Sequence, residues 1–268
     1  MKQIKQKISI LLLLNFTLIS TSLAATSHMT GYFENVTNNS SIDIVIKQGN
    51  KPYIQIINAA DSMLPFIKTD VEKNTLMIST KPNAPWDAFK HTKINVYTPH
   101  VTAIKNSSSG KIKIYYADKL TAVTLSGSGD IKGKNIKAEK LAVKLTGSGD
   151  INLSGILKVQ AIDQQGTGNV ELSNIYQNAL TITHSGSGDT KLKGRINHLN
   201  INNKGSGEID TRDLKAKQVT VSFSGSGNIN LYAQNSLNAE LSGSGNINVE
   251  GHPQHISQKT RGTGHIKL

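Results

Sequence analysis

The chain contains no cysteine. Disulfides, thiolate metal sites and a cysteine nucleophile are thereby excluded, as is a lipid-modified cysteine behind a leader. Aromatic residues supply only 5% of the 268 positions, with one tryptophan among them. A core must then be built mostly from Ile, Leu and Val, which favours strands. Long apolar runs are missing too. The most apolar stretch, Ile8 to Ile19, falls short of the roughly 20 residues a spanning helix needs. Lys2, Lys5 and Lys7 precede it, and Ser22 and Ala24 have the small-x-small arrangement of a leader cleaved after Ala24. Residues 1–24 are therefore expected to be a signal peptide. The mature chain, without a transmembrane segment, is expected in the periplasm, at the outer membrane or outside the cell.

Acidic residues are scarce relative to basic ones, with 18 Asp and Glu against 30 Lys and Arg. Losing the three leader lysines lowers the formal charge from +12 to +9. Such a surface reads first as an ordinary solvated basic surface, and as a partner for an anionic glycan or another envelope component second. The cations are scattered and no nucleic-acid reader motif is present, so a nucleic-acid partner is not expected.

What the chain has in abundance is Gly-Ser-Gly. The second glycines fall at Gly129, Gly149, Gly168, Gly188, Gly207, Gly227, Gly245 and Gly264, and a degenerate Ser-Ser-Gly ends at Gly110. Successive copies lie 18 to 20 residues apart. The first glycines are Gly127, Gly147, Gly166, Gly186, Gly205, Gly225, Gly243 and Gly262.

Two residues after each second glycine sits a column that includes Ile112, Ile131, Ile151, Val170 and Ile209. Four residues before each first glycine sits another, including Ile104, Val123, Val143, Ile162 and Ile182. Both alternate with polar residues at period two, as strands with one buried face do. Each unit reads strand, corner, strand and variable return. The return carries a turn former (Gly133, Gly155, Asn174, Gly194, Asp213 or Gly251) and one more apolar residue (Ile136, Ile156, Ile175, Ile196 or Leu214). A single unit cannot bury its apolar side, but stacked units can. The expected fold is all-β: a right-handed parallel β-helix with 19–20-residue coils over residues 102–268. Residues 25–101 are expected to form a β-rich cap over its first edge. There "SIDIVIKQGNKPYIQII" alternates as a hairpin, "TLMIST" and "KINVYTP" as further strands, and "KPNAPWDAFKH" reads as a loop. The far end has no such cover, which leaves a homodimer through that open end as an expectation.

The sixteen glycines are read as structural corners, with positive φ as the reason for glycine. The central hydroxyls and the following column (Asp130, Asp150, Asn169, Asp189, Glu208, Asn228, Asn246, His265) are read as turn-stabilising. Chemical alternatives fit poorly. A dinucleotide fingerprint needs G-x-G-x-x-G opening a helix. A calcium-loading β-roll repeats every nine residues or so with Asp throughout. An anion nest needs free N–H groups, which neighbouring coils consume. Asp130 and Asp150 could mimic a catalytic carboxylate pair, but near-constant spacing leaves no insertions to build a cleft. His184 and His198 lack a marked partner, and His252 with His255 make an incomplete metal set. No catalytic, cofactor or metal residue is expected, and the sequence does not name the ligand.

"NSSIDIVIKQGNKPYIQI", "TLMIST" and the repeated "LSGSGDI" and "LTGSGDI" resemble DUF2807, the head GIN domain of autotransporter adhesins. The resemblance implies a right-handed β-helix outside the bacterial inner membrane and a non-catalytic, adhesin-like binding role. It brings no catalytic residues. No translocator barrel follows the repeats, a departure from an autotransporter. The readings from other classes are a polysaccharide-active β-helix enzyme and a structural assembly protein of the envelope.

Overall fold

The computed structural model describes residues 26–85 and 87–268. The expected signal peptide and Trp86 lie outside them. The described residues are all-β apart from a short 3₁₀ helix at Asp61–Phe66.

The N-terminal strands are β1 (Thr26–Met29), β2 (Asn35–Asn39), β3 (Asp43–Gln48), β4 (Tyr53–Ile57), β5 (Ile67–Glu72), β6 (Thr75–Thr80) and β7 (Lys93–Thr98). The repeats supply β8 (Ala103–Asn106), β9 (Ile112–Ile114), β10 (Ala122–Leu125), β11 (Ile131–Leu145), β12 (Ile151–Gln164), β13 (Val170–His184), β14 (Thr190–Asn203), β15 (Ile209–Phe223), β16 (Ile229–Leu241), β17 (Ile247–Glu250), β18 (His255–Thr260) and β19 (Ile266–Lys267). These form a parallel β-solenoid of about nine turns. Each long strand runs from one corner, through the return, to the next. Val143 stands beside Val123 and Ile162, and Ile151 beside Ile131 and Val170. Equivalent residues therefore lie over one another at the strand spacing of about 4.8 Å.

The inward columns are those the periodicity predicts. Ile112, Ile131, Ile151, Val170, Ile209, Ile229 and Ile247 are buried, and so are Ile104 through Ala239 in the second column. In the return column Ile136, Ile175, Ile196 and Leu214 are buried, but Ile156 is 56% exposed. Gly155 takes the place opposite Ile136, which shifts Ile156 outward beside Lys137 and turns Leu157 inward. Gly133 is likewise not a turn residue. It pairs with Leu153 inside a strand, and the positive φ of that coil belongs to Asn135.

The repeat also begins earlier than Gly-Ser-Gly shows. β2 pairs in parallel with β8, and β3 with β9, so residues 35–48 stack in register as a further coil. Its corner holds Ile42 where later coils hold the second glycine. β6 continues the sheet from β2, and β7 continues it from β3. The expected β3–β4 hairpin does not form. β7 lies between them, parallel to β3 and antiparallel to β4. Period-two alternation suits either partner, and this arrangement pairs both edges of β7 while burying Ile94 and Val96.

The corners show why glycine recurs, and the reason is not positive φ. Among the described glycines, positive φ occurs at Gly155, Gly194 and Gly251, all in the return. At Gly166 a Cβ would lie 2.0 Å from the Gly147 carbonyl oxygen, and at Gly147 2.0 Å from that of Gly127. Successive corners touch backbone to backbone. Five consecutive N–H groups in one corner all donate to the preceding coil. Those of Thr146 and Gly147 reach Leu125 O (2.9 and 3.3 Å), and those of Ser148 and Gly149 reach Gly127 O (3.1 and 3.3 Å). The fifth, Asp150 N–H, donates to the Asp130 carboxylate at 3.2 Å.

That last bond repeats up the stack. Asn169 N–H donates to Asp150, Asp189 N–H to Asn169, and Glu208 N–H to Asp189, each at 2.8 Å. The polar column is thus a ladder in which each side chain caps an N–H of the next coil. Inside the corner, polar residues two before the first glycine satisfy the inward carbonyl of the second. Asn106 Nδ2 donates to Gly110 O (2.7 Å) and Gly129 O (3.0 Å), Gln164 Nε2 to Gly168 O (2.9 Å), and His184 Nε2 to Gly188 O (2.8 Å). At the far end β18 is exposed throughout and carries Lys259, with Arg261 and Lys267 nearby.

Two outcomes follow. Gly166→Ala should lower unfolding stability by about 3 kcal/mol or more, because the obstructing atom is backbone. Ser148→Ala, on the exposed central hydroxyl, should change it by less than about 0.5 kcal/mol. Equal calorimetric melting of the two variants would refute the close-contact account. The second concerns Asp130. Burial works to raise its carboxyl, but the Asp150 N–H and the Lys111 ammonium outweigh that and hold it below the ordinary carboxylate range. Its contribution is thus present above the unfolded value of about 3.9 and lost as pH falls through the lower folded value. Asp130→Ala should cost about 1–2 kcal/mol at neutral pH through the orphaned N–H. Asp130→Asn should retain that bond and flatten the acid limb of the stability profile; denaturant melts between pH 2 and 7 measure both.

Candidate functional site

The corners are backbone packed on backbone. Most of their N–H groups donate to the preceding coil, and that of Gly205 to the Asn203 side chain, which leaves little of an anion nest. The side chains of Asp130 and Asp150 are held by the ladder, and Asp130 also pairs with Lys111 at 3.1 Å. His184 is buried, with Nε2 on a carbonyl and Nδ1 facing the Asn203 side chain at 2.9 Å. His198 lies exposed on the return. His252 and His255 acquire no third ligand: among the described residues no group of three His, Asp or Glu is placed to hold a metal. What the corners present to solvent is a row of hydroxyls, Ser128, Ser148, Thr167, Ser187, Ser206 and Ser226.

The return face offers the convergent chemistry. Tyr176 stands in register with Arg195, and Arg195 with Lys215. Lys215 in turn places its ammonium 3.8 Å from the centre of the Tyr232 ring, a cation–π contact. These four residues make one outward row across four coils, aromatic at both ends and cationic between. With the strand spacing the row spans about 14 Å. A second outward row adds Asn197, Lys217 and Gln234. Asn197 Nδ2 donates to Asn178 Oδ1 at 2.9 Å, which fixes that amide.

The sequence builds this face locally. Ile196, Ala216 and Ala233 occupy the inward positions between the two rows and are buried. Alternation then forces Arg195, Asn197, Lys215 and Lys217 outward. Gln177, in register with Ile196, turns its amide inward to the Val159 carbonyl, leaving Tyr176 as the rim. The result is an open groove of about 550 Å³. No carboxylate lines it, and among the described residues Arg195, Lys215 and Lys217 take part in no ion pair. In-register cations such as Arg195 and Lys215 repel each other. Tyr176, 53% exposed, and Tyr232 provide flat apolar walls. The groove can hold a planar or ring-shaped anion, with Arg195 presenting a bidentate fork. The residues that line it include no nucleophile paired with a base.

Of the residues that line the groove, the sequence pattern marks Ile196 alone, as an inward residue of the return. The return is the variable part of each coil, and alignment on glycine directs attention to the buried columns. The signal was the interval: Tyr176, Arg195, Lys215 and Tyr232 are separated by 19, 20 and 17 residues, close to the repeat itself.

Comparison with known proteins agrees with this architecture. Among solved structures, a Bacteroides fragilis protein named "putative adhesin" is similar over 92% of this chain and 97% of its own, with 25% identity and a TM-score of 0.53. A Parabacteroides merdae "putative adhesin" covers 93% and 97% at 19% identity, with a TM-score of 0.64. A Parabacteroides distasonis "putative lipid binding protein" covers 93% and 98% at 22% identity, with a TM-score of 0.63. The latter two share the fold alone. No protein of curated function matches the chain. The family profile described as "Putative auto-transporter adhesin, head GIN domain" (DUF2807) matches residues 32–193 and 168–253, most of the chain, and the protein belongs to that family.

Proposed function

We propose that the protein is an exported, non-catalytic binding module of the bacterial envelope, and that its ligand is an anionic glycan held on the return face. The row Tyr176–Arg195–Lys215–Tyr232 carries this reading. Membership of an adhesin family supports it. Tyrosine rings stack on the apolar faces of sugar rings while cations meet carboxylate or sulfate groups, the usual mixture of apolar walls and few polar anchors. The repeat of the solenoid aids this. Arg195 and Lys215 stand on adjacent coils, so an extended polymer lying along the axis meets charges one strand spacing apart. The charge of the whole chain draws such a polymer in and the groove sets its pose.

Retention on an immobilised polyuronate tests the proposal. The protein should bind at low salt and be released as salt is raised toward 1 M, where screening shortens to about 3 Å. Arg195→Gln with Lys215→Gln should weaken binding about tenfold or more, the loss of two charge-assisted contacts. Lys259→Gln with Lys267→Gln removes the same charge from the terminal coil and should have far less effect. Equal effects of the two pairs, or retention indifferent to salt, would overturn the assignment of the groove. The non-catalytic half of the proposal has its own test: no polysaccharide should be cleaved, and turnover abolished by Asp130→Asn would refute it.

A further inference from the structure

A second cationic surface lies on a different face, the outer side of β3, β9 and β11. Ile44, Ile46, Ile112, Ile114 and Ile131 point inward and are buried there. The outward residues fall into two rows that cross the strands in register. One is Val45, Lys113 and Lys132. The other, two residues on, is Lys47, Tyr115 and Lys134. Four of six adjacent outward positions are thus lysine. Tyr97 extends the second row beside Lys47 and stacks on Tyr53, ring centres 4.3 Å apart. Two adjoining grooves of about 230 and 380 Å³ open on this face and share Lys113 and Lys132.

The fold does not ask for these lysines. The coil after Lys132 carries Asn152 at the same position, and the next carries Glu171. Packing therefore accepts neutral and acidic residues there, whereas Lys113 directly opposite Lys132 is a repulsive pair. The nearby carboxylates do not cancel it. Asp43 accepts the Lys111 N–H at 3.0 Å, and Asp130 is shared among the Asp150 N–H, Lys111 and, at 3.7 Å, Lys132. Among the described residues no ion pair includes Lys47, Lys113 or Lys134. Tyr115 registers the resulting field. Its phenol is pulled below the ordinary value by Lys113, through hydrogen bonding and charge, with help from the charges of Lys47 and Lys134. The Lys113 ammonium lies 4.8 Å from the centre of that ring.

We infer that this face binds phosphate: a phosphomonoester or pyrophosphate group seated across Lys113, Lys132 and Lys134 beside Tyr115. Ammonium groups act as rotatable point charges, which suits a compact, multiply charged anion with several oxygens. The return groove differs in offering an arginine fork between tyrosines, so the two faces select different anions. The phosphate can belong to a lipid headgroup or to a free phosphorylated sugar; the recognising chemistry is the same. The inference stands independently of the glycan reading.

The test uses the purified protein, inorganic pyrophosphate and sulfate at matched ionic strength. Pyrophosphate should raise the melting temperature. It should also shift the Tyr115 phenol titration upward, read by ultraviolet absorbance against Tyr115→Phe, because an anion offsets the lysines. Lys113→Gln with Lys134→Gln should abolish both responses, and Arg195→Gln with Lys215→Gln should leave both intact. Sedimentation with vesicles of phosphatidylcholine, with and without phosphatidic acid, separates the sources. Selective binding to phosphatidic acid supports a lipid phosphate, and a response to pyrophosphate without vesicle binding supports a soluble one. The inference is overturned if sulfate matches pyrophosphate, if the lysine variant responds like the wild type, or if neither pyrophosphate nor phosphatidic acid moves the Tyr115 titration.

Discussion

The structure depends on bare backbone meeting bare backbone at the corners. The Gly127 carbonyl receives two N–H groups from the coil above, and the room it occupies is the room a side chain on Gly147 would need. Once that approach is allowed, everything above the corner is placed. The strands on either side fall into register and the apolar columns superpose. A five-residue bend that would otherwise leave N–H groups unpaired is satisfied by its neighbour. The Asp and Asn ladder completes this by supplying the one acceptor the preceding backbone does not.

Much of this was written plainly in the chain. Gly-Ser-Gly sets the phase of every coil, and with the phase known, alternation assigns inside and outside to Ile131, Val143 and their counterparts. The limits of the reading are physical as well. Steric exclusion by a neighbouring coil and freedom to adopt positive φ both select glycine, so the motif alone does not tell them apart. Alternation names the buried residues of β3 and β4 but not their partner, and β7 competes successfully for both. The coil at residues 35–48 carries no Gly-Ser-Gly signal, because Ile42, itself fully buried, stands where later coils have the second glycine. Ile156 was misplaced by a single-residue slip at Gly155, beyond the resolution of a periodicity argument.

The candidate sites were harder to see because they sit where the fold is indifferent. A solenoid fixes its inward residues and leaves the outward ones free. Arg195, Lys215 and Lys113 look like scattered surface charge in the sequence. Only the register shows that Arg195 adjoins Lys215 and that Lys113 faces Lys132. Both pairs cost the folded state some repulsion, and both have tyrosine beside them. The fold supplies a rigid ruler, and its outer side is free to vary without disturbing it.

The direction of the corner hydrogen bonds has a further consequence. In the flat sheets N–H groups point alternately up and down the axis, so their dipoles largely cancel. In the corner at residues 146–150 five in succession point toward the N-terminal end, and several do so in each of the corners that follow. Stacked over the length of the solenoid, these peptides add up as those of an α-helix do, with partial negative charge gathering at the C-terminal end. Lys259, Arg261, His265 and Lys267 stand at that end, and residues 251–268 contain no acid. The cationic last coil thus does for this column of bends what basic residues in the final turn do for a helix.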